Sequence, residues 1–187
     1  TWFQTETGTI MITNRPGIPV KPGSMGKPVR GISAAIISDT GRRLPNRQIG
    51  NLCLRAPWES MFISYLGQPK AYRRKFRGGY YYTGDKAYRD ADGHYWFVGR
   101  SDDIINTAGH LVGPTEIENA ALELPQVAEA AAIGAPDKLL YEKIVLYVCL
   151  HKGQAASPEL DLNIRVHVSK RVSSIATPRE VRFVEML

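Results

Sequence analysis

Two short motifs between residues 82 and 113 carry side chains suited to binding a sugar phosphate. The first is Thr83-Gly84-Asp85, which directly follows a run of tyrosines. A carboxylate can accept hydrogen bonds from both hydroxyls of a ribose, and a preceding glycine allows a close backbone approach. Asp85 is therefore a candidate sugar-binding residue, although an aspartate in a β-turn is the commoner explanation of an isolated Thr-Gly-Asp.

The second motif is Gly-Arg-Ser-Asp-Asp at positions 99–103. Arg100 presents a planar fork of donors that can reach the same ribose or a phosphate. Asp102 lies in a polar segment between two regions of different composition, where a residue that tolerates unusual φ and ψ values suits a hinge. The alternative for Asp102 is a loop aspartate that faces solvent.

Composition narrows the class of protein. The chain has 187 residues, of which 43% are hydrophobic, and a formal net charge of +6. No apolar run approaches the ~20 residues that a membrane span needs. Cys53 and Cys149 lie in apolar segments, which indicates buried thiols in a reducing, cytoplasmic compartment. The histidines are scattered and give no metal-ligand spacing.

The positive charge favours a small polyanionic ligand over nucleic acid. The densest basic group, residues 73–77, is short, and the other basic residues are interspersed with acidic ones. This pattern predicts a solvated face rather than a nucleic-acid-binding stripe. A ligand such as ATP or CoA would benefit from the same excess charge.

The first hundred residues or so read as mainly β. Short strand-like runs alternate with Gly- and Pro-rich connections and one short helical stretch, at 32–37, 49–55, 70–76, 80–82 and 94–98. Several short strands of this kind predict a small barrel or a distorted sheet.

The pattern changes after Asp103. Helix signals alternate with apolar strand runs in the order α-β-β-α-β, at 114–124, 127–133, 143–150, from 157, and at 180–186. The sequence therefore predicts an α+β chain, with a β-rich part over 1–101 and a compact α+β domain over 102–187.

Taken together, the motifs resemble those of the adenylate-forming enzymes, the acyl-CoA synthetase superfamily. The resemblance rests on the segments 1–8, 82–85 and 99–110, and it extends through 49–58 and 176–180, so that it covers essentially the whole chain. It is strongest to AMP-forming acetyl-CoA synthetases and their short- and medium-chain relatives. It implies that 1–101 is the end of a large adenylating domain and that 102–187 is the mobile C-terminal domain.

The resemblance assigns roles in nucleotide binding. In Thr1-Trp2-Phe3-Gln4-Thr5-Glu6, it implies that Thr5 bonds a phosphate oxygen and that Glu6 helps hold the Mg²⁺ of ATP, a hard cation suited to carboxylate oxygen. A helix cap is the alternative for this pair. Asp85 becomes the ribose-binding aspartate and Arg100 its cationic partner. Phe97 falls where an apolar residue lies against the adenine, with core packing as the alternative.

Further roles concern the acyl-transfer step. The resemblance implies that Asp102 is the hinge of a domain swing and that Gly109 lets the pantetheine arm of CoA pass close to the backbone. Leu111 replaces an arginine that touches phosphate in several members of the family. Lys170 and Arg171 are either contacts of the CoA phosphates or plain surface charges.

The implied activity is that of an acid–thiol ligase, in which a short- or medium-chain carboxylate, ATP and CoA give acyl-CoA, AMP and pyrophosphate. The family's Ser-Gly-Lys lysine does not occur in the chain, which predicts a fragment of a longer parent with negligible activity alone, because the missing charge would stabilise the transition state. Transfer to an acyl-carrier protein and a non-catalytic binding module remain alternatives.

Overall fold

The computed structural model describes all of residues 1–187. The chain divides into two compact units, Thr1–Ser101 and Asp102–Leu187. Three α-helices and several sheets confirm the predicted α+β class. None of the helices combines the length and the apolar character required to cross a bilayer.

The first unit is built around one five-stranded sheet. Its elements are β1 (Ile12–Thr13), β2 (Lys27–Pro28), β3 (Ala34–Ile37), β4 (Gly50–Arg55), α1 (Pro69–Arg74), β5 (Phe76–Arg77), β6 (Tyr80–Arg89) and β7 (Tyr95–Arg100). The sheet runs β3-β4-β6-β5, with β7 also paired to β6, while β1 and β2 form a separate pair. The sheet is open, so the barrel predicted from the strand spacing is wrong and the distorted sheet is what forms.

The core of this unit joins its first residues to the sheet. Trp2 forms a bridge with Ile12, and both are buried. They pack in one cluster with Leu52, Leu54 and Tyr81 of the central strands. The N-terminal segment is therefore held against β4 and β6, which positions its polar side chains near the middle of β6.

The second unit places two helices on one face of a second sheet. Its elements are β8 (Ile105–Thr107), β9 (His110–Val112), α2 (Pro114–Leu122), β10 (Val127–Asp137), β11 (Tyr141–Leu150), α3 (Pro158–Arg171) and β12 (Glu180–Phe183). Its core contains Ile117 of α2, Leu146 of β11 and Ile164 of α3. The predicted order α-β-β-α-β is present, but the β8–β9 hairpin precedes it and the last strand ends at Phe183.

The helices begin where the sequence predicts. Pro114 opens α2 and Pro158 opens α3, each in the first turn, where a missing N–H costs nothing. The Ser157 side chain accepts a hydrogen bond from the Leu160 N–H at 3.1 Å and so caps α3. In α3, Leu160, Ile164 and Val168 share the buried face.

The β8–β9 hairpin turns on two residues. Ala108 and Gly109 both have positive φ, at 51° and 80°, and Thr107 pairs directly with His110. These values are typical of a type I′ turn, in which both central residues are left-handed. Gly109 adopts this conformation without strain, and a Cβ there would meet nothing within 4 Å.

Candidate functional site

The candidate site is centred on a bulge in β6. Asn51 of β4 pairs with Lys86, but Cys53 pairs with Tyr82, so β6 uses extra residues over Thr83–Asp85. Gly84 has a φ of +89°, a value that glycine adopts readily. Bulges of this kind redirect a side chain out of the regular alternation of a strand. Thr-Gly-Asp thus lies within a strand, and the β-turn explanation for it is wrong.

The Thr83 hydroxyl makes hydrogen bonds that replace some of the interstrand backbone hydrogen bonds that the bulge interrupts. It donates to the Leu52 carbonyl at 2.9 Å and accepts from the Asp85 N–H at 3.0 Å. Both bonds are buried, so each satisfies a backbone group that would otherwise be costly to bury. The hydroxyl therefore fixes the backbone from which Asp85 projects.

Asp85 is a buried carboxylate with two side-chain donors on one oxygen. Only 3% of the Asp85 surface is exposed to solvent. Its Oδ2 accepts from the Trp2 indole Nε1 at 2.8 Å and from the Gln4 Nε2 at 3.1 Å. Gln4 is itself held by the Tyr81 hydroxyl, which donates to Oε1 at 3.1 Å. This network fixes the carboxylate rotamer through Oδ2 and leaves Oδ1 on the side of β7.

Arg100 lies opposite Asp85 in the β6–β7 register. Its Nη1 is 3.6 Å from Asp85 Oδ1, an ion pair that is too long for a hydrogen bond. The Arg100 side chain is 48% exposed, so its donors extend towards solvent from the buried acid. The structure thus brings together the two residues that the sequence proposed for one sugar phosphate.

Opposing effects act on the protonation of Asp85. Burial raises its pKa, while the hydrogen bonds from Trp2 and Gln4 and the charges of Arg100 and Lys75 act to lower it. The pKa of Asp85 remains above its ordinary value of 3.8. The ionised carboxylate therefore costs the folded chain free energy, as expected of a group held ready for a partner.

The Thr5-Glu6 segment forms a 3₁₀ turn, Thr5–Thr7. Gln4 and Thr7 close a capping box around it, and Gly8 ends it with a φ of +70°. A Cβ at Gly8 would lie 2.3 Å from the Ser60 carbonyl oxygen, so only glycine fits. The cap is thus formed by Gln4 and Thr7 rather than by Thr5, whose exposed hydroxyl makes no hydrogen bond within the chain.

Glu6 is oriented by a tyrosine. The Tyr65 hydroxyl donates to Glu6 Oε1 at 2.7 Å, and burial together with this bond raises the pKa of Tyr65 to about 12. Glu6 Oε2 accepts no hydrogen bond, so a hard carboxylate oxygen is available for a cation. No group of three or more potential metal-ligating side chains occurs. Glu6 would therefore hold Mg²⁺ only together with oxygens of a ligand.

Phe97 lies on β7 with its ring towards solvent. It is 40% exposed, whereas its neighbour Val98 is 3% exposed. Core packing, the alternative explanation for this aromatic, therefore does not account for it. The exposed ring is available for contact with a flat apolar ligand such as a base.

The remaining predicted residues belong to the second unit. Asp102 is its first residue and is exposed in a turn. Gly109 lies in the tight β8–β9 turn described above. Arg171 binds Glu123, the C-cap of α2, through Nε at 2.7 Å, which lowers the pKa of Glu123 to about 2. Its guanidinium therefore joins α3 to α2, whereas Lys170 is exposed.

Sequence reasoning missed the residues that orient the site. Trp2 and Gln4 were named only as members of the motif over residues 1–6, yet both bond Asp85. Tyr65 and Lys75 had no predicted role. The one available signal was the i, i+2 spacing of Trp2 and Gln4, which puts two donors on the same side of an extended segment.

The chain is similar to known proteins in sequence and in fold. Residues 116–187 match the family model of the AMP-binding enzyme C-terminal domain. Acetyl-coenzyme A synthetase of Bacillus subtilis is 43% identical over 188 residues, covering 100% of this chain and 33% of the relative. The acetyl-coenzyme A synthetase of Deinococcus radiodurans is 40% identical, covering 100% of this chain and 29% of that protein.

Solved structures show the same fold across both units. The anthranilate CoA ligase AuaEII, in complex with anthranoyl-AMP, has a TM-score of 0.87 at 38% identity and covers 99% of this chain and 35% of its own. The o-succinylbenzoate CoA synthetase MenE of Bacillus subtilis, bound to its acyl-adenylate, has a TM-score of 0.86 at 27% identity. The match covers 99% of this chain and 37% of the MenE chain. The predicted resemblance to adenylate-forming enzymes is thus confirmed, and the chain spans about a third of the length of these relatives.

The raised pKa of Asp85 gives a stability prediction. Above the folded-state pKa, Asp85 is ionised and its burial opposes folding, whereas at a pH well below the ordinary value of 3.8 it is protonated in both states. Asp85→Asn should therefore raise the melting temperature at pH 7, and the gain should shrink as the pH falls through the carboxylate range. Thermal unfolding of both proteins from pH 3 to pH 7 measures this.

Two variants serve as controls for that measurement. Asp85→Ala should be less stable than Asp85→Asn by about 1–3 kcal/mol, because it leaves the Trp2 indole N–H buried without an acceptor. Asp103→Asn, at an exposed position, should change little. A melting temperature for Asp85→Asn that drops at pH 7 and recovers in acid would contradict the sign of the effect.

Proposed function

We propose that this chain forms the nucleotide-binding end and the C-terminal domain of an acid–thiol ligase. The enzyme activates a short- or medium-chain carboxylate with ATP to acyl-AMP and transfers the acyl group to CoA. The observation that carries the proposal is the Asp85–Arg100 pair, with Asp85 Oδ2 occupied by Trp2 and Gln4. A carboxylate held in this way offers its remaining lone pairs to the two hydroxyls of a ribose.

The other residues of the first unit surround such a nucleotide. Phe97 contacts the adenine with its exposed ring, and the Arg100 guanidinium reaches the ribose or the phosphate. The free Thr5 hydroxyl donates to a phosphate oxygen. Glu6 Oε2 would help hold Mg²⁺, which neutralises the phosphate charge of ATP when bound. Each of these groups is exposed or partly exposed and can reach a ligand without rearranging the core.

Residues of the second unit serve the transfer step. We assign Asp102, the first residue of that unit, as the hinge about which the unit reorients between adenylation and thioester formation. The turn at Gly109 has no side chain to obstruct a thin ligand, which suits the pantetheine arm of CoA. Free, buried Cys53 and Cys149 fit a cytoplasmic location, where ATP and CoA are available.

The chain alone should not catalyse adenylation. It contains no Ser-Gly-Lys motif and spans about a third of its relatives' length. A lysine charge on the carboxylate and α-phosphate would supply much of the electrostatic stabilisation of the transition state. The partners of the chain are therefore the carboxylate substrate, CoA and the remaining part of the ligase.

Two alternative functions differ from this proposal. One has a different acyl acceptor, and the other involves no catalysis. An acyl-carrier protein could replace CoA as acceptor, and one structural relative at 28% identity is an amide bond synthetase, McbA, so acceptors differ among the relatives. A non-catalytic binding module would keep the nucleotide site without turnover. Both alternatives retain the Asp85 site. The carrier-protein alternative differs from the leading proposal only in the second half-reaction, whereas the binding module would carry out neither half-reaction.

A chimera tests the first half-reaction. This chain replaces the matching 188-residue segment of the Bacillus subtilis acetyl-coenzyme A synthetase, which keeps its own remaining residues. The chimera should catalyse carboxylate-dependent exchange between ATP and pyrophosphate. Asp85→Asn should lower kcat/KM for ATP by about tenfold to a hundredfold, which corresponds to about 1.4–2.8 kcal/mol of lost binding.

The control neutralises a different carboxylate of the first unit. Glu59→Gln, at an exposed position, should leave exchange within about twofold of the unmodified chimera. A folded chimera that shows no exchange with acetate, propionate, butyrate or longer acids would refute the ligase proposal. Exchange without thioester formation from CoA would favour the carrier-protein alternative.

The same chimera tests the hinge. Asp102→Pro restricts φ at the first residue of the second unit and removes a backbone donor. Thioester formation should slow by at least tenfold more than pyrophosphate exchange, because only the second half-reaction requires the reorientation. Single-turnover measurement of both half-reactions gives the two rates, and an equal loss in both would contradict a hinge at Asp102.

A further inference from the structure

Lys75 is an additional cation at the Asp85 site. It follows α1 directly, and its backbone N–H donates to the Tyr72 carbonyl at 3.0 Å. Its carbonyl accepts from the Tyr82 N–H at 2.7 Å, which ties the residue to β6 just before the bulge. The position of Lys75 is therefore set by the backbone of the strand that carries Asp85.

The Lys75 ammonium lies above the glycine of the bulge. A Cβ placed on Gly84 would be 3.7 Å from Lys75 Nζ and 3.6 Å from Arg100 Nη2. The two cations therefore face the same bare stretch of backbone. Because glycine has no side chain, the space between them is open to a ligand atom.

Lys75 is partly buried, yet it lacks a counter-ion within ion-pair distance. Neither a salt bridge nor a side-chain hydrogen bond of the structure involves its ammonium. Three other lysines differ in this respect, since Lys21, Lys86 and Lys143 each contact a carboxylate within 3.0 Å. An unneutralised, partly desolvated ammonium is an attractive partner for an anion.

Two cations and one buried carboxylate lie beside Gly84. Asp85 contributes one negative charge, and its Oδ2 is already occupied by Trp2 and Gln4. Arg100 and Lys75 contribute two positive charges, of which the first is paired with Asp85. The Lys75 ammonium therefore lies beside an acid suited to a ribose, which matches a ligand that carries a phosphate next to its sugar.

We propose that Lys75 binds a phosphate of a nucleoside 5′-phosphate whose ribose is held by Asp85. This inference rests on the proposed function, since it takes the nucleotide as the ligand of Asp85. Lys75 is a binding residue that acts as a point charge, with Arg100 on the other side of Gly84. This role explains why the Lys75 ammonium extends towards the bulge while the neighbouring Arg73 and Arg74 are exposed.

Calorimetry of the complete 187-residue chain with ATP and with adenosine tests the proposal. Lys75→Gln and Lys75→Met should weaken ATP binding by about fivefold to tenfold, as expected for one partly screened charge, and leave adenosine binding unchanged. Lys75→Arg should keep ATP affinity within about twofold. Arg74→Gln, which removes a neighbouring exposed cation of α1, is the matched control and should have little effect. Added salt should narrow the difference between the wild type and Lys75→Gln.

Each result decides between the two proposals. If the wild type binds ATP and both Lys75 variants bind it equally well, the role of Lys75 is refuted and the proposed function stands. If the variants lose adenosine and ATP to the same extent, Lys75 only supports the fold, and the phosphate contact is refuted. If the wild type binds neither ligand, the nucleotide site fails, and the assignment of Lys75 fails with it.

Discussion

The structure of the first unit depends on the buried carboxylate of Asp85 and on the side chains that hold it. Asp85 is almost fully buried, and burial alone would drive it towards the neutral form. The indole of Trp2 and the amide of Gln4 offset part of that cost by donating to one oxygen. The other oxygen faces Arg100 without a hydrogen bond from it, and this incomplete satisfaction is the basis of our proposal that Asp85 binds a ligand.

That arrangement constrains elements that never touch a ligand. The bulge in β6 needs a residue with left-handed backbone conformation at position 84, which Gly84 supplies. It also needs the Thr83 hydroxyl, which bonds the Leu52 carbonyl where the backbone hydrogen bonds between β4 and β6 are interrupted. The N-terminal segment needs Gly8, because any side chain there would collide with Ser60. Geometry thus favours glycine at positions 8 and 84 and threonine at position 83, and the placement of Asp85 follows from these residues.

The sequence allowed the polar partners of the ligand to be proposed, because each lies in a short local motif. Asp85 and Arg100 are such residues, and they are register partners in the structure. The bond from Trp2 to Asp85 joins residues 83 positions apart, and no local pattern encodes it. Lys75 was missed for a similar reason, since its approach to Gly84 depends on how the end of α1 meets β6.

Errors in the predicted fold have equally specific causes. The strand spacing predicted a barrel or a distorted sheet, because spacing does not reveal whether the edge strand β3 finds a partner, and the sheet stays open. The β8–β9 hairpin was not predicted because its strands have three residues each, too few for a periodic signal. The buried faces of α2 and α3 were predictable, since a helical period over several turns identifies a core face directly.

Binding of AMP and of 2′,3′-dideoxy-AMP to the wild-type chain and to Asp85→Asn tests the central claim most directly. If the Asp85 carboxylate holds the ribose hydroxyls, the wild type should prefer AMP by about tenfold or more, and Asp85→Asn should lose most of that preference while its affinity for the dideoxy nucleotide stays nearly constant. Equal affinity of the wild type for the two nucleotides, or a preference for AMP that survives the substitution, would contradict the account.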